Sequence, residues 1–127
     1  MILGELEKLV LNYLWQVREA DAKQVHQHFE KRRGGSLNTI QSTLDRLHKK
    51  GLLRREKIAH AYHYRPAMDR TAFIGELIRS VTHDFSADTD SLMSAFVSLS
   101  AEQDERQLER LEAMIERYRQ NKSKDDK

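Results

Sequence analysis

Residues 36–66 read SLNTIQSTLDRLHKKGLLRREKIAHAYHYRP, and this stretch decides the fold. Ile40, Leu44 and Leu47 recur at steps of four and three, which is the spacing of one buried face of a helix. The serine that begins the stretch is a good N-cap. We therefore predict a helix over 36–50, ended by the glycine that follows it.

The second half of the stretch changes to the two-residue period of a β-strand. Tyr62 and Tyr64 fall on one face of a strand, and the pair Ala59-His60 is placed where the chain would turn between two strands. The pattern therefore predicts a β-hairpin over 53–66, which closes at the single proline of the chain.

Two more helices are predicted ahead of this stretch. Residues 3–17 carry one apolar stripe, and Asp21 can cap a second helix that ends at Gly34-Gly35. Three helices followed by a hairpin is the order of a winged helix-turn-helix. The predicted fold class is therefore mainly α with a small β-hairpin wing, and residues 1–70 form its first domain.

The rest of the chain, 71–127, reads as helix and is the second predicted domain, a C-terminal helical dimerisation arm. We expect Asp88 to cap one helix, Ser100 to cap the last one, and a polar tail from Asn121 to fray. Only 39% of the 127 residues are hydrophobic, so we expect a homodimer to complete the core. The predicted interface residues are Phe73, Leu77, Leu92, Phe96, Leu108, Leu111, Ile115 and Tyr118.

Composition excludes several classes of protein. The chain has no cysteine, which excludes disulfides and thiolate metal sites, and its six histidines are scattered, so we predict no metal site. It has no run of about 18 apolar residues and no signal-peptide layout, so we predict a cytoplasmic protein without membrane insertion. It has no Gly-rich phosphate loop, nucleophile elbow or His-Glu-x-x-His motif. We predict that it is not an enzyme and takes no cofactor.

The net charge of +2 is unevenly distributed. Residues 1–70 hold 14 Lys and Arg against 8 Asp and Glu, a net of +6, whereas residues 71–127 hold 8 against 12, a net of −4. A basic region attracts polyanions such as nucleic acid. The alternative is that the imbalance is only solvated surface charge.

The predicted helix over 36–50 has a polar face opposite Ile40. Asn and Gln can grip adenine, Arg can grip guanine, and hydroxyls and Lys suit phosphates. Asp45 would repel phosphate unless it accepts from cytosine or orients Arg46 or Lys49. The predicted DNA-binding residues of this helix and of the hairpin are Asn38, Thr39, Gln41, Ser42, Arg46, Lys49, Lys50, Arg54, Arg55 and His60.

Any amphipathic helix has a polar outer face, so a winged-helix protein–protein adaptor that binds no DNA is the alternative. Two features favour DNA. The first half of the exposed face uses short amides and hydroxyls instead of the Glu and Lys that helix propensity favours. The hairpin that follows is also rich in cations.

Three motifs in the stretch resemble the penicillinase-repressor family of winged-helix transcriptional regulators: TI at 39–40, RLHKKG at 46–51 and YHYRP at 62–66. The resemblance implies a transcriptional repressor that sits as a homodimer on a palindromic double-stranded DNA operator. Its third helix would enter the major groove, and its wing would touch the backbone. Many members carry Gly-Arg at the wing tip, where this chain has Ala-His at 59–60, so His60 would supply a pH-dependent contact instead.

The resemblance also suggests how the protein is regulated. Copper-responsive members carry a cysteine motif, which this chain lacks. Members that respond to β-lactams are cleaved in the arm by a membrane-bound sensor protease, and by position the matching bond is Ala95–Phe96. Alanine stands there where asparagine is usual. The alternative is that Phe96 serves only in the dimer core.

Overall fold

The computed structural model describes residues 3–85 and 88–125. In chain order the elements are α1 (Glu5–Val17), β1 (Ala20–Asp21), α2 (Ala22–Glu30), α3 (Leu37–Lys49), β2 (Leu53–Ile58), β3 (Ala61–Pro66), α4 (Arg70–Asp84), α5 (Thr89–Gln103) and α6 (Glu105–Asp125). Three helices followed by an antiparallel hairpin confirm the predicted fold class. The chain divides into two compact units, the first ending at Ile78 and the second beginning at Arg79.

The core of the first unit is built from one apolar face of each of its first three helices. Each face follows helical spacing, so its side chains meet on one side of the helix and leave the polar side to solvent. The sheet and the start of α4 cover the rest of this core. Its buried residues are Val10, Leu11, Leu14, Ala20, Val25, Phe29, Ile40, Leu44, Leu47, Leu52, Leu53, Tyr64 and Phe73.

Three predicted N-caps are confirmed, and one of them is Asp88, whose carboxylate accepts from the backbone N–H of Ser91 at 2.6 Å at the start of α5. The Asp21 carboxylate accepts from the backbone N–H of Gln24 at 2.8 Å, and the Gln24 side chain accepts from the Asp21 N–H at 2.8 Å, so α2 begins with a reciprocal capping box. Ser36 Oγ accepts from the N–H of Thr39 at 3.2 Å at the start of α3. Such a cap contributes about 1 kcal/mol to helix stability.

The sheet has three antiparallel strands in the order β1-β3-β2. The predicted hairpin is present, with Arg55 opposite Tyr64 and a two-residue turn at Ala59-His60. Both turn residues have positive φ, 49° and 70°, as the tight hairpin turn that matches strand twist requires. The sequence did not predict β1, in which Ala20 pairs with Tyr64, because two residues are too few to show a period.

One side chain ties α1 to the segment before α4. Trp15, the single tryptophan, donates from Nε1 to the carbonyl of Met68 at 3.0 Å. Its ring lies 5.4 Å from that of Phe73, centroid to centroid. The indole is thus a local reporter of whether the first unit is folded.

The predicted cap of the last helix is wrong. α5 continues through Ser100 to Gln103, and the Ser100 hydroxyl donates to the carbonyl of Phe96 at 2.9 Å. Asp104 accepts from the N–H of Gln107 at 3.2 Å and caps α6 instead. A serine inside a helix can bond the preceding turn, so its presence does not by itself mark a helix start.

The polar tail is more ordered than expected. α6 extends to Asp125, so the segment from Asn121, which we expected to fray, is helical as far as the described residues reach. Lys122 and Lys124 lie in the last turn, where the partial negative charge of the helix end favours cations.

Candidate nucleic-acid interface

α3 presents one polar face to solvent. Its opposite side is held in the core by Ile40, Leu44 and Leu47, which are at most 4% exposed. Because these side chains fix the rotation of the helix, the remaining face must point outward. The predicted residues Asn38, Thr39, Gln41, Ser42 and Arg46 are all exposed on it. The structure therefore brings the five predicted base-reading and hydroxyl side chains together on one surface.

Thr43 organises this face from inside, and sequence reasoning missed it. It is fully buried, and its hydroxyl donates to the carbonyl of Thr39 at 2.8 Å. The same oxygen accepts from Arg46 Nη2 at 3.2 Å. The only signal in the sequence is a hydroxyl residue beside Leu44 on the apolar face. By holding one nitrogen of the guanidinium, Thr43 restricts where Arg46 can reach.

Lys50 lies apart from the polar face. Its Nζ is 2.7 Å from Oε2 of Glu7, and the ion pair joins the end of α3 to α1. Glu7 is 7% exposed and also accepts from the N–H of Gly4 at 3.3 Å. The pKa of Glu7 lies below its ordinary value, chiefly because Lys50 donates to the carboxylate. Lys50, which we predicted as a phosphate contact, is therefore engaged in holding two helices together.

Asp45 joins two cations from different elements. Lys49 Nζ lies 3.0 Å from Oδ2, and Arg55 Nη1 of β2 lies 3.1 Å from Oδ1. The Lys49 hydrogen bond is the main reason why the pKa of Asp45 lies below its ordinary value. The sequence suggested that Asp45 could accept from cytosine or orient Arg46 or Lys49. Of these residues, the structure shows Lys49 in contact with Asp45. The link to Arg55 was not predicted.

Arg55 is held on three sides. Besides its bond to Asp45, its guanidinium carbon lies 4.3 Å above the ring centroid of Tyr62, within the range of a cation–π contact. The pKa of Arg55 lies above its usual range, chiefly because of a hydrogen bond between its side chain and that of Tyr64. Only 26% of the side chain is exposed. Arg55 therefore faces α3 from the inner side of the hairpin.

The other predicted hairpin residues lie elsewhere on the wing. Arg54 is exposed and pairs in register with Arg65, so alternation places both on the face opposite Arg55. His60 is exposed at the tip. The two predicted cations of β2 thus lie on different surfaces, and Arg54 is the more exposed of the two.

The residues predicted for dimerisation fall in both units. Phe73 is 7% exposed against Trp15, and Leu77 packs on the same core, so both lie in the first unit. In the second unit, no described residue of α5 or α6 is buried. Leu92, Leu108 and Leu111 are half-buried, whereas Phe96, Ile115 and Tyr118 are exposed.

The candidate cleavage bond lies inside a helix. Ala95 and Phe96 are both exposed, and they sit near the middle of α5. Proteases favour exposed, irregular segments. Cleavage at this bond would therefore require α5 to unwind locally.

Within 3–85 and 88–125, no group of three or more His, Cys, Asp or Glu side chains is arranged to hold a metal ion. No helix in this same part of the chain is long and apolar enough to cross a membrane.

Comparison of the sequence with known families gives a match over most of the chain. Residues 3–117 match the family model described as penicillinase repressor. The chain is also 32% identical over 77 residues to the transcriptional regulator BlaI of Mycobacterium tuberculosis, in two strains. That alignment covers 60% of this chain and 56% of BlaI, so the chain spans about half the length of the curated relatives that it matches.

The solved structures that resemble the fold include two with TM-scores of 0.50 and 0.51. The DNA-binding domain of the repressor BlaI in solution superposes with a TM-score of 0.50 at 29% identity, covering 54% of this chain and 84% of that domain. The complex structure of hsRosR-S4 gives a TM-score of 0.51 and covers 80% of this chain and 89% of the other. At 17% identity, the second likeness concerns the fold alone.

Proposed function

Since the chain belongs to the penicillinase repressor family, we propose that it is a sequence-specific transcriptional repressor that binds double-stranded DNA as a homodimer on a palindromic operator. The family is one of repressors and not of enzymes. The observation that carries the proposal is the outer face of α3, where five hydrogen-bonding side chains stand exposed on a helix whose other side is fixed in the core.

The dimensions of α3 suit the major groove of B-form DNA, which admits one α-helix. Asn38 and Gln41 would each grip an adenine edge, and Arg46 a guanine edge. A good two-bonded contact of this kind discriminates between bases by about 1–3 kcal/mol. The hydrogen bond from Arg46 to Thr43 supports this role, because it reduces the number of positions that the guanidinium samples before binding.

Backbone contacts would come from the rim of the same surface. Thr39 and Ser42 carry hydroxyls, the Lys49 side chain is 74% exposed, and Arg54 and His60 are exposed on the wing. Phosphate contacts fix the register of the protein on the duplex but carry no sequence information directly. We infer that these five residues position α3 and that Lys50, held by Glu7, contributes little.

The second unit supports a homodimer. Two helices without a buried side chain leave their apolar faces open, and such faces mark association surfaces in folded proteins. A second copy of this chain would cover them with an equivalent surface, as two-fold symmetry requires. The interface that we propose is formed by Leu92, Phe96, Leu108, Leu111, Ile115 and Tyr118.

Proteolysis in the arm is the proposed means of release. A cut between Ala95 and Phe96 would remove α6 and half of α5 from the DNA-binding unit, and with them most of the proposed interface. Mass spectrometry of the chain from derepressed cells tests this step. A fragment ending near Ala95 supports it, whereas an intact chain under full derepression contradicts it.

The DNA-binding proposal is tested by selecting bound fragments from a genomic library and titrating the winning duplex with salt. With about eight phosphate contacts per dimer, the log–log slope of affinity against salt is expected near −7. The selected fragments should share a palindrome with half-sites about one helical turn, or a multiple of it, apart. An adaptor protein would bind no duplex even at low salt.

A further inference from the structure

Asp45 is an unexpected residue on a surface that should attract phosphate. It is 39% exposed at the side chain, and its contacts reach from α3 across to the wing. The described contacts of its two oxygens are with Lys49 Nζ on Oδ2 and Arg55 Nη1 on Oδ1, at 3.0 and 3.1 Å. Each carboxylate oxygen therefore holds one cation, and one of the two belongs to β2.

The Arg55 bond is a fixed link between elements. The Arg55 guanidinium lies 4.3 Å above the Tyr62 ring and is bonded to Asp45, so it cannot turn to a phosphate without losing both the ring and the carboxylate. Lys49, by contrast, lies on the same helix as Asp45 and keeps 74% of its side chain exposed. Lys49 can therefore swing to a phosphate, whereas Arg55 is committed to the protein.

We propose that Asp45 is a specificity-determining residue that acts by position: it holds Arg55 against α3, which sets the wing relative to the recognition helix and keeps one cation away from the phosphate backbone. This inference rests on the proposed DNA binding.

The link between Asp45 and Arg55 should affect non-specific DNA and a preferred site in opposite ways. Non-specific binding depends almost wholly on cation–phosphate contacts, so releasing Arg55 should strengthen it. Binding to a preferred site also needs α3 and the wing to engage together in one register, so a loosened wing should offset that gain. The ratio of the two affinities is therefore the quantity that Asp45 controls.

The test compares Asp45→Asn with Glu56→Gln in the full-length protein. Glu56 is an exposed carboxylate on β2, next to Arg55 in sequence but on the opposite face of the strand, so its variant removes the same charge without touching the link. The probes are a mixed-sequence duplex and the duplex that the unmodified protein selects from a random library. Tryptophan emission checks that each variant is folded.

Asp45→Asn is expected to bind the mixed-sequence duplex about 3- to 10-fold more tightly, with a salt slope steeper by about 1, which is the contribution of one added phosphate contact. Its preference for the selected duplex should fall about 10-fold. Glu56→Gln should change both affinities by the same factor and leave the preference unaltered. An unaltered preference in Asp45→Asn would overturn the inference.

A second variant decides the matter should Asp45→Asn not fold. Arg55→Gln removes the committed cation itself, so the salt slope on mixed-sequence DNA should stay the same while the preference falls. A slope that becomes shallower by about 1 would mean that Arg55 contacts phosphate, and it would overturn the inference. If the unmodified protein binds neither duplex at low salt, it is the proposed function that fails.

Discussion

The Nζ atom of Lys50 lies 2.7 Å from Oε2 of Glu7, so the end of α3 is tied to α1 by an ion pair with one nearly buried member. The two residues are 43 positions apart in the chain. The ion pair therefore helps to fix how the end of α3 lies against α1.

We expect Glu7→Gln to lower the free energy of unfolding by about 1–2 kcal/mol, because a charge-assisted hydrogen bond is lost and Lys50 is partly screened by solvent. Urea unfolding followed by tryptophan emission measures this. Glu5→Gln is the matched control, since Glu5 is exposed on the same helix and its ion pair with Lys8, at 3.6 Å, is also exposed. If the two variants lower the free energy of unfolding equally, the ion pair of Glu7 with Lys50 has no special role in stability.

The same pair predicts how stability depends on pH. The pKa of Glu7 is lowered in the folded state, so its stabilising contribution is complete above the unfolded value of about 4.3 and is lost as the pH falls through the folded value. The stability difference between the unmodified protein and Glu7→Gln should therefore be constant near neutral pH and shrink below about pH 4.3. A stability difference between the two proteins that grew as the pH fell would contradict this prediction.

Arg46→Ala and Lys49→Ala should have different effects on DNA binding. Arg46→Ala is expected to cost about 1–3 kcal/mol on the selected duplex and to relax preference at one base pair of each half-site. Lys49→Ala should weaken binding to all sequences alike and make the salt slope shallower by about 1. Selection from a random library with each variant measures the base preference, and titration of the bound duplex with salt measures the slope. If the two variants select the same relaxed consensus, the division between base and phosphate contacts is wrong.

The wing turn should respond to substitutions that suit or oppose a positive φ. Ala59 has φ 49°, a conformation that Asn tolerates and a β-branched residue does not. We expect Ala59→Asn to raise the free energy of unfolding by about 0.5–1 kcal/mol and Ala59→Val to lower it by at least about 1 kcal/mol. Thermal and urea unfolding of the pair measure the difference. Equal stabilities would mean that the turn is not under this constraint.

Ile115→Glu should dissociate the proposed homodimer. Ile115 is 44% exposed on α6, and a charge in the proposed interface would lose its hydration without gaining a partner. We expect dimer affinity to fall about 10- to 100-fold, as for a hot-spot residue, and operator affinity to fall with it. Sedimentation equilibrium measures the first quantity. Glu109→Gln on the same helix is the control, and a variant that stays dimeric would move the interface elsewhere.

Some features set by neighbouring residues were predictable from the sequence. The caps at Asp21 and Ser36 and the turn at Ala59-His60 each depend on a few adjacent positions, and all three are present. The exposed face of α3 was predictable for a related reason, because the buried spacing of Ile40, Leu44 and Leu47 fixes which side remains outside.

Contacts between distant segments were not predictable. The Lys50–Glu7 pair and the Asp45–Arg55 link join different elements, and no local pattern says which cation will be used inside the protein. Phe73 shows the same difficulty, since its apolar character suits either a core or an interface and only the tertiary fold brings it against Trp15.

The strand order has a further consequence for self-association. β2 pairs with β3 on one side, and among the described residues no strand lies on its other side. That open edge carries the sequence RREK at 54–57, and a row of charges on an edge strand opposes the addition of a strand from another molecule. The wing is thus protected against edge-to-edge aggregation, and concentrated solutions of this protein should resist fibril growth from the part of the sheet that is most exposed.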